Sequence, residues 1–169
     1  MDSPSEFLVY FEKIRSRTER VALLVPEDRI EWAPAPEKFT LGDTVRHIAA
    51  IERWMFAENA MRRPSRYAGC GRELAEGKDA VIAYLRERHR ESVEIFGRLS
   101  PADFEARCET PGGASIRIGK WLRSMIEHEV HHRGQIYLML GMLGVATPPL
   151  YGLTSEEVHA RSVSDSLLD

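Results

Sequence analysis

The sequence predicts an all-α protein, a four-helix bundle followed by a short C-terminal helix. Four long stretches repeat apolar residues at spacings of three and four, which is the period of an amphipathic helix. Helix-capping residues precede several of these stretches, and we find no β-strand signal of weight. Because a chain of 169 residues can enclose a core of its own, we expect residues 1–169 to form a single helical domain.

The composition is that of an ordinary globular domain and argues against several classes of partner. Hydrophobic residues make up 43% of the chain and the formal net charge is -3, so we expect neither nucleic acid nor a membrane as a partner. The longest apolar run, residues 136–140, is far too short to span a bilayer. Acidic residues near the N-terminus, such as Asp2 and Glu6, do not fit a signal peptide. Cys70 and Cys108 form no C-x-x-C motif, which favours free thiols in a reducing, cytoplasmic setting.

The first helix has a clear beginning and end. Ser3 is the predicted N-cap, Pro4 takes the first helical position and Glu6 completes a capping box. Pro26 ends the helix, since proline cannot donate the backbone hydrogen bond that a helix interior needs. The predicted core stripe consists of Phe7, Leu8, Phe11, Ile14, Thr18, Ala22 and Val25.

The second helix begins in the same way, with Thr40 and Asp43 as its capping pair. Pro64 and the Gly-Cys-Gly stretch at 69–71 end it and form a loop. His47 is predicted to lie at the flank of the apolar face. That face consists of Leu41, Thr44, Ile48, Ile51 and Met55.

The third helix is predicted from about residue 74 to about residue 99. Gly77 weakens its first turn, because glycine is a poor helix former. Ser100 and Pro101 then begin one short turn of helix before the Pro-Gly-Gly stretch at 111–113. The shared face of the third helix holds Val81, Ile82, Leu85, His89, Ser92 and Phe96.

The last long helix is predicted from Trp121 to Leu143. Gly144 and the proline pair at 148–149 prevent it from continuing, and Thr154 caps a short terminal helix. The stripe predicted to be buried consists of Trp121, Met125, His128, His132, Ile136, Met139 and Leu143.

Two histidines interrupt this stripe. His128 and His132 are one turn apart, so their rings can face a single metal ion. Hydrogen bonds to protein groups are the alternative, because a buried polar ring needs some partner. His47 is also predicted to turn inward near the start of a long helix. Three neutral imidazoles would hold Zn²⁺ or a similar ion and leave at least one position for water, as in catalytic sites.

Several neighbouring residues have two interpretations each. Asp43 either accepts the other ring N–H of His47 or only caps its helix. His89 is either a fourth ligand or a core histidine with protein partners. His131 is expected at the flank of its helix, as an outer partner or a surface group. Cys70 is a reactive thiol or an inert one.

Glu129 is the candidate catalytic residue. With His128 and His132 it completes H-E-x-x-H, in which the glutamate of zinc peptidases is the general base. The longer peptidase motif fails, because Leu138 stands where a third histidine is needed. Glu129 therefore acts as a base beside a metal-bound water, or it pairs with a cation such as Arg133.

Four features together resemble the DinB/YfiT-like superfamily. They are the inward His47, the H-x-x-x-H followed by Arg-Gly-Gln within residues 128–135, Leu-Gly-Val at 143–145 and Pro-Pro-Leu-Tyr-Gly at 148–152. The resemblance covers nearly the whole chain. It implies a four-helix bundle with up-down-down-up connectivity, often a homodimer. It also implies a divalent metal ion, zinc or nickel, on the matching histidines His47, His128 and His132.

The resemblance also implies a class of reaction. Members of known activity use low-molecular-weight thiols such as bacillithiol, mycothiol or glutathione in transfer or isomerisation reactions. We therefore expect a metal-dependent thiol transferase acting on a small electrophile, since a metal ion lowers the pKa of a bound water or thiol. The expected pocket lies near Trp54 and Trp121. A non-catalytic metal-binding dimer with a sensing or stress role, an H-E-x-x-H peptidase and a metal-free scaffold are the alternatives.

Overall fold

The computed structural model of the protein describes residues 3–165 and is mainly helical. The predicted domain also includes residues 1–2 and 166–169, which lie outside the described residues. The elements, in chain order, are α1 (Pro4–Ala22), a 3₁₀ turn (Glu27–Arg29), α2 (Leu41–Ile51), a π-helical segment (Glu52–Ala57), α3 (Glu58–Ala60), a second 3₁₀ turn (Arg72–Leu74), α4 (Lys78–Phe96), α5 (Pro101–Glu105), β1 (Arg107–Glu109), β2 (Ser115–Arg117), α6 (Ile118–Met142) and α7 (Ser155–Asp165).

Four long helical units form a bundle around two apolar clusters, one at each end. The first cluster joins the C-terminal halves of α1 and α6 to α2 and the N-terminal half of α4. The second joins the N-terminal halves of α1 and α6 to the π-helical segment, α3 and the end of α4. Helices α1 and α6 therefore run in one direction and α2 and α4 in the other. This up-down-down-up order confirms the predicted four-helix bundle.

The predicted helix starts are confirmed where a side chain caps the helix. The Ser3 hydroxyl accepts a hydrogen bond from the amide of Glu6. Thr40 and Asp43 form a reciprocal capping box at the start of α2. These caps satisfy amide groups that have no partner within the helix, so they fix where the helix begins.

The predicted start of the third helix was wrong by about four residues. Residues Arg72–Leu74 form a 3₁₀ turn, and Gly77 has a φ of 81°, which is incompatible with an α-helix. Helix α4 therefore begins only at Lys78.

The small hairpin that precedes α6 was not predicted from the sequence. Strands β1 and β2 are three residues long and antiparallel, with Cys108 opposite Ile116. Strands this short are below the length at which an alternating pattern can be recognised.

The buried face of α6 is rotated relative to the predicted stripe. His128 and His132 are only half-buried, whereas Glu129 and Arg133 are fully buried. Helix α6 packs against α1 as well as α2, and Arg15 of α1 supplies the charge that faces Glu129. The predicted buried stripe omitted Glu129 and Arg133, because a sequence pattern cannot reveal an ion-pair partner on a distant helix.

None of the helices within residues 3–165 is both long and apolar enough to cross a membrane.

Candidate metal centre

Three histidines from two antiparallel helices meet at one point of the bundle. His47 comes from α2, and His128 and His132 lie one turn apart on α6. The Nε2 atom of His128 is 3.0 Å from Nε2 of His47 and 3.1 Å from Nε2 of His132. The ligand atoms of the three rings all lie within 4.8 Å of one another. We call this group the histidine cluster.

Hydrogen bonding among the rings cannot account for both short contacts. An imidazole nitrogen has one lone pair or one N–H in the ring plane, so it makes one good hydrogen bond. Nε2 of His128 nevertheless has two nitrogen neighbours at about the same distance. Three ring nitrogens that converge in this way could serve as the donor set of a metal ion. Two nitrogens bound tetrahedrally at about 2.0–2.1 Å would be about 3.3 Å apart, so the residues fit such an ion.

Gln135 fixes the tautomer of His132. The Gln135 side-chain oxygen lies 2.7 Å from Nδ1 of His132, while its amide nitrogen lies 3.0 Å from Nε2 of His131. An amide oxygen only accepts, so His132 donates through Nδ1 and keeps the lone pair on Nε2. His131 lies at the exposed flank of α6, as predicted, and it orients Gln135.

Tyr67 has the same role for His47. Its hydroxyl oxygen is 2.7 Å from Nδ1 of His47, in the loop that follows α3. Tyr67 is also hydrogen-bonded to the thiol of Cys70, and burial followed by this hydrogen bond raises the pKa of Tyr67. The tyrosine therefore stays protonated. When its O–H points at sulfur, its oxygen accepts the Nδ1–H of His47, which leaves Nε2 of His47 free to bind a metal ion.

The rings are neutral at physiological pH. Burial, followed by repulsion from His132, lowers the pKa of His47 to about 4. Burial and the rings of His132 and His47 lower the pKa of His128 to about 3. Burial also lowers the pKa of His132. Neutral imidazole is the form that coordinates a metal ion, so the protein need not release protons from these rings to bind one.

An apolar groove of about 450 Å³ opens beside the histidine cluster. His132 and Gln135 line one side of it. Phe39, Leu138 and Met142 also line it, and all three are exposed apolar side chains. The groove therefore offers a small molecule with an apolar part a place beside the histidines.

The two tryptophans expected near the pocket lie elsewhere. Trp54 stacks with the guanidinium groups of Arg53 and Arg66, and Trp121 packs against Phe56. Both tryptophans are therefore held by contacts with other side chains, and neither lines the groove beside His132. The sequence instead missed Phe39, whose ring lies 5.3 Å from that of His47 between centroids.

Of the two interpretations given for Asp43 and for His89, the structural one is correct in each case. Asp43 caps α2 and pairs with Arg46 at 2.8 Å, so the suggested contact with His47 is replaced by Tyr67. His89 lies between Glu12 and Glu52, with ring nitrogens 3.3 and 3.4 Å from their carboxylate oxygens. It is not part of the histidine cluster.

Glu129 belongs to a second polar group, which we call the buried ion-pair cluster. Its members are Arg15, Glu52, Glu129 and His89. Arg15 pairs with Glu52 and lies 3.1 Å from Glu129, and all three side chains are almost fully buried. The Glu129 carboxylate therefore faces α1. Its role as a catalytic base stays a prediction.

The π-helical segment supports both clusters. It begins at Glu52, directly after α2, and extends to Ala57. Glu52 faces Arg15 and His89, while the Phe56 ring lies 6.0 Å from that of His128 between centroids. Such segments widen one helical turn and often occur at functional sites.

The sequence profile of the DinB superfamily matches residues 10–136, which is more than half of the chain. The chain belongs to the DinB superfamily.

Solved structures of other DinB-like proteins have the same fold. A DinB-like protein from Bacillus cereus is 16% identical, with a TM-score of 0.75, and the match covers 88% of this chain and 97% of that one. A DinB-like protein from Bacillus subtilis is 18% identical, with a TM-score of 0.69 and coverage of 87% and 97%. A comparison with curated protein sequences found no match. The sequence profile therefore shows the family, and the solved structures show the fold.

The residues that orient the histidines were largely missed from the sequence. Gln135 follows the histidines at helical spacing, so its contact with His132 is a recognisable i, i+3 pair. Tyr67 lies in a loop, 20 residues after His47, and no periodic pattern indicates its position.

Proposed function

We propose that this DinB-superfamily chain binds one divalent metal ion, zinc or nickel, through His47, His128 and His132. The convergence of three Nε2 atoms on one point carries the proposal. Three protein ligands leave a coordination position free for a water or a substrate atom. Imidazole accepts several divalent ions, so the metal preference is an experimental question.

We further propose that the bound metal ion supports thiol transfer to a small electrophile. A metal ion in this position would lower the pKa of a thiol or water beside it. In the reaction, a thiolate sulfur attacks an electrophilic carbon, a sulfur–carbon bond forms and the leaving group departs with its electron pair. The apolar groove beside His132 supports this proposal, because it can hold the organic part of the electrophile away from water.

The chain's own residues would hold and orient the reactants. Gln135 and Tyr67 keep two rings in the tautomer with a free Nε2. Phe39 and Leu138 would contact the apolar part of the electrophile. As the resemblance to thiol-using family members implies, the cosubstrate would be a low-molecular-weight thiol, and we propose that the protein is a homodimer.

The peptidase alternative has less support. A peptidase base must reach the metal-bound water, whereas Glu129 faces Arg15 within the buried ion-pair cluster. A panel of unfolded protein substrates tests this alternative, and cleavage by the wild type that Glu129→Gln abolishes would restore it.

A thiol-transfer assay tests the proposed activity. Metal-loaded protein is incubated with a panel of low-molecular-weight thiols and a chromogenic chloronitroarene. The wild type should form the thioether, and His128→Ala should lose both the metal ion and turnover. His159→Ala, in the exposed part of α7, is the matched control and should retain both. Full turnover by metal-free His128→Ala would refute metal-dependent transfer, while stoichiometric metal without turnover would favour the sensing alternative.

A further inference from the structure

A second cavity lies between the end of α3 and the β-hairpin. Its volume is about 740 Å³, within the range of small-molecule sites. The loop after α3 and the two strands line it, and it shares no lining residue with the apolar groove beside His132. We call it the hairpin cavity. It is therefore a separate place at which a ligand could bind.

The hairpin cavity is positively charged. Arg62, Arg63 and Arg107 line it, and Glu109 is the acidic residue among its lining residues, which leaves a formal charge of +2. Arg62 pairs with Asp103 at 3.0 Å, and Arg63 lies 3.9 Å from Glu58. Both hydrogen bonds of the Arg107 guanidinium go to Ser115, through its hydroxyl and its carbonyl oxygen. The hydrogen-bond partners of Arg107 are thus uncharged, and of the three arginines Arg107 is the best placed to bind an anion.

One residue of the cavity wall also has a buried hydrogen-bond acceptor without a partner among the described residues. Asn59 is 2% exposed and lines the hairpin cavity. Its amide nitrogen donates to the carbonyl of Arg63 at 2.9 Å, which fixes the orientation of the amide. Its side-chain oxygen is buried and accepts no hydrogen bond from the described residues. A buried acceptor of this kind is costly unless a ligand or water donates to it.

The backbone turns sharply between these groups. Arg62 has a φ of 60°, which is rare for residues other than glycine, asparagine and aspartate. The turn lets Arg62 and Arg63, which directly follow α3, both line the cavity that Asn59 borders. Cations and a neutral acceptor are thereby combined in one small site.

We propose that the hairpin cavity binds a small phosphomonoester that carries a hydroxyl group. Guanidinium groups bind phosphate oxygens well, and Arg107, whose hydrogen bonds go to the uncharged groups of Ser115, can pair with a phosphate group. The ligand's hydroxyl group donates to the side-chain oxygen of Asn59. The volume accommodates more than a bare anion, which favours a phosphorylated polyol or sugar over inorganic phosphate.

Calorimetric titration with three probes tests this proposal. Glycerol 3-phosphate should bind with one site per chain, inorganic phosphate more weakly, and glycerol not measurably. Arg107→Ala should weaken glycerol 3-phosphate binding about tenfold or more, because a hydrogen bond to a charged group is lost. Arg98→Ala removes an exposed arginine that does not line the cavity, and it should leave binding unchanged.

A second variant isolates the acceptor. Asn59→Leu should reduce the affinity for glycerol 3-phosphate to that for inorganic phosphate, because only the former has a carbon-bound hydroxyl group beside its phosphate to donate to Asn59. Should this buried substitution prevent folding, the ratio of the two affinities in the wild type still decides the point. Equal affinities would overturn the role of Asn59.

Other outcomes would overturn the site itself. One is an absence of saturable binding by the wild type. The other is an equal loss of binding in Arg107→Ala and Arg98→Ala, which would indicate general attraction to positive charge. His128→Ala should bind glycerol 3-phosphate as the wild type does. Weaker binding there would place the anion at the histidine cluster instead, so the two proposals can fail separately.

Discussion

The two polar clusters of the bundle differ in how their polar side chains are accommodated in the interior. Both interrupt an apolar interior, and each combines residues from different long helices. The buried ion-pair cluster places Arg15 between Glu52 and Glu129, so opposite charges face one another within the protein. Within the described residues, both oxygens of Glu129 and two nitrogens of Arg15 are nevertheless buried without a hydrogen-bond partner. The histidine cluster brings together three neutral rings, and the outer nitrogens of His47 and His132 have hydrogen-bond partners. The first cluster is thus built from opposite charges of the chain itself, whereas the second is a set of neutral donors that we propose a metal ion completes.

Breaking the buried ion-pair cluster should have the largest effect. Arg15→Met leaves two carboxylates in the interior without their cation, and we expect a loss of about 3–5 kcal/mol in the free energy of unfolding. Urea denaturation followed by circular dichroism measures it. Arg20→Met, at an exposed position of the same helix, is the matched control and should cost much less. Similar losses in both variants would show that the cluster does not stabilise the fold.

Removing a ring from the histidine cluster should abolish metal binding without a comparable loss of stability. His128→Ala removes the nitrogen that lies between the other two, so we expect metal affinity to fall by more than about 100-fold. Competition with a chromogenic chelator measures the affinity. His131→Ala changes a neighbouring exposed ring that is outside the cluster, and it should have a much smaller effect. An unchanged affinity in His128→Ala would remove this residue from the site.

Changing the outer partners should weaken the site without abolishing it. Gln135→Leu and Tyr67→Phe remove the groups that fix the rings of His132 and His47. Each should lower metal affinity about 10–100-fold, as is usual for partners of metal-bound histidines. The same chelator competition measures both variants. A loss as large as that of His128→Ala would contradict an indirect role.

The free energy of unfolding of the metal-free protein should depend on pH, because buried histidines have lower pKa values in the folded protein than in the unfolded chain. Burial, followed by the charge of Arg15, lowers the pKa of His89 to about 4, and the pKa of His47 is also about 4. Between about pH 6.5 and pH 4 the unfolded chain binds these protons and the folded protein does not. Stability should therefore fall as pH decreases through this window, on the order of 1–2 kcal/mol for His89.

Urea midpoints at several pH values, measured with a chelator present, test this prediction. His89→Phe should reduce the pH dependence while leaving the contribution of the histidine cluster. A midpoint that does not change between pH 7 and pH 5 would show that these rings are not buried in neutral form.

Local features of the fold could be predicted well from the sequence. The caps at Ser3 and Thr40 and the short helix after Ser100 depend on residues three apart, and the structure confirms them. The start of α4 was missed because Gly77 adopts a left-handed conformation that composition alone does not specify. The hairpin was missed because its strands have only three residues each.

The candidate site was predictable only in part, because some of its contacts join residues that are far apart in the chain. The pairing of His128 with His132 follows from helical spacing, and their approach to His47 was expected from its position in the second helix. The identity of the group beside Nδ1 of His47 depends on how a loop folds back, and Tyr67 therefore replaced Asp43. The rotation of α6 depended on Arg15, more than a hundred residues away in the chain.

X-ray absorption at the metal edge is the decisive test of the proposed three-histidine site. Chelator-treated protein is titrated with one equivalent of Zn²⁺ or Ni²⁺, and the ligand shell is read from the fine structure. We expect saturable binding at one ion per chain, with three imidazole nitrogens at about 2.0–2.1 Å for zinc. A shell containing sulfur from Cys70, or no saturable binding of either ion, would contradict it.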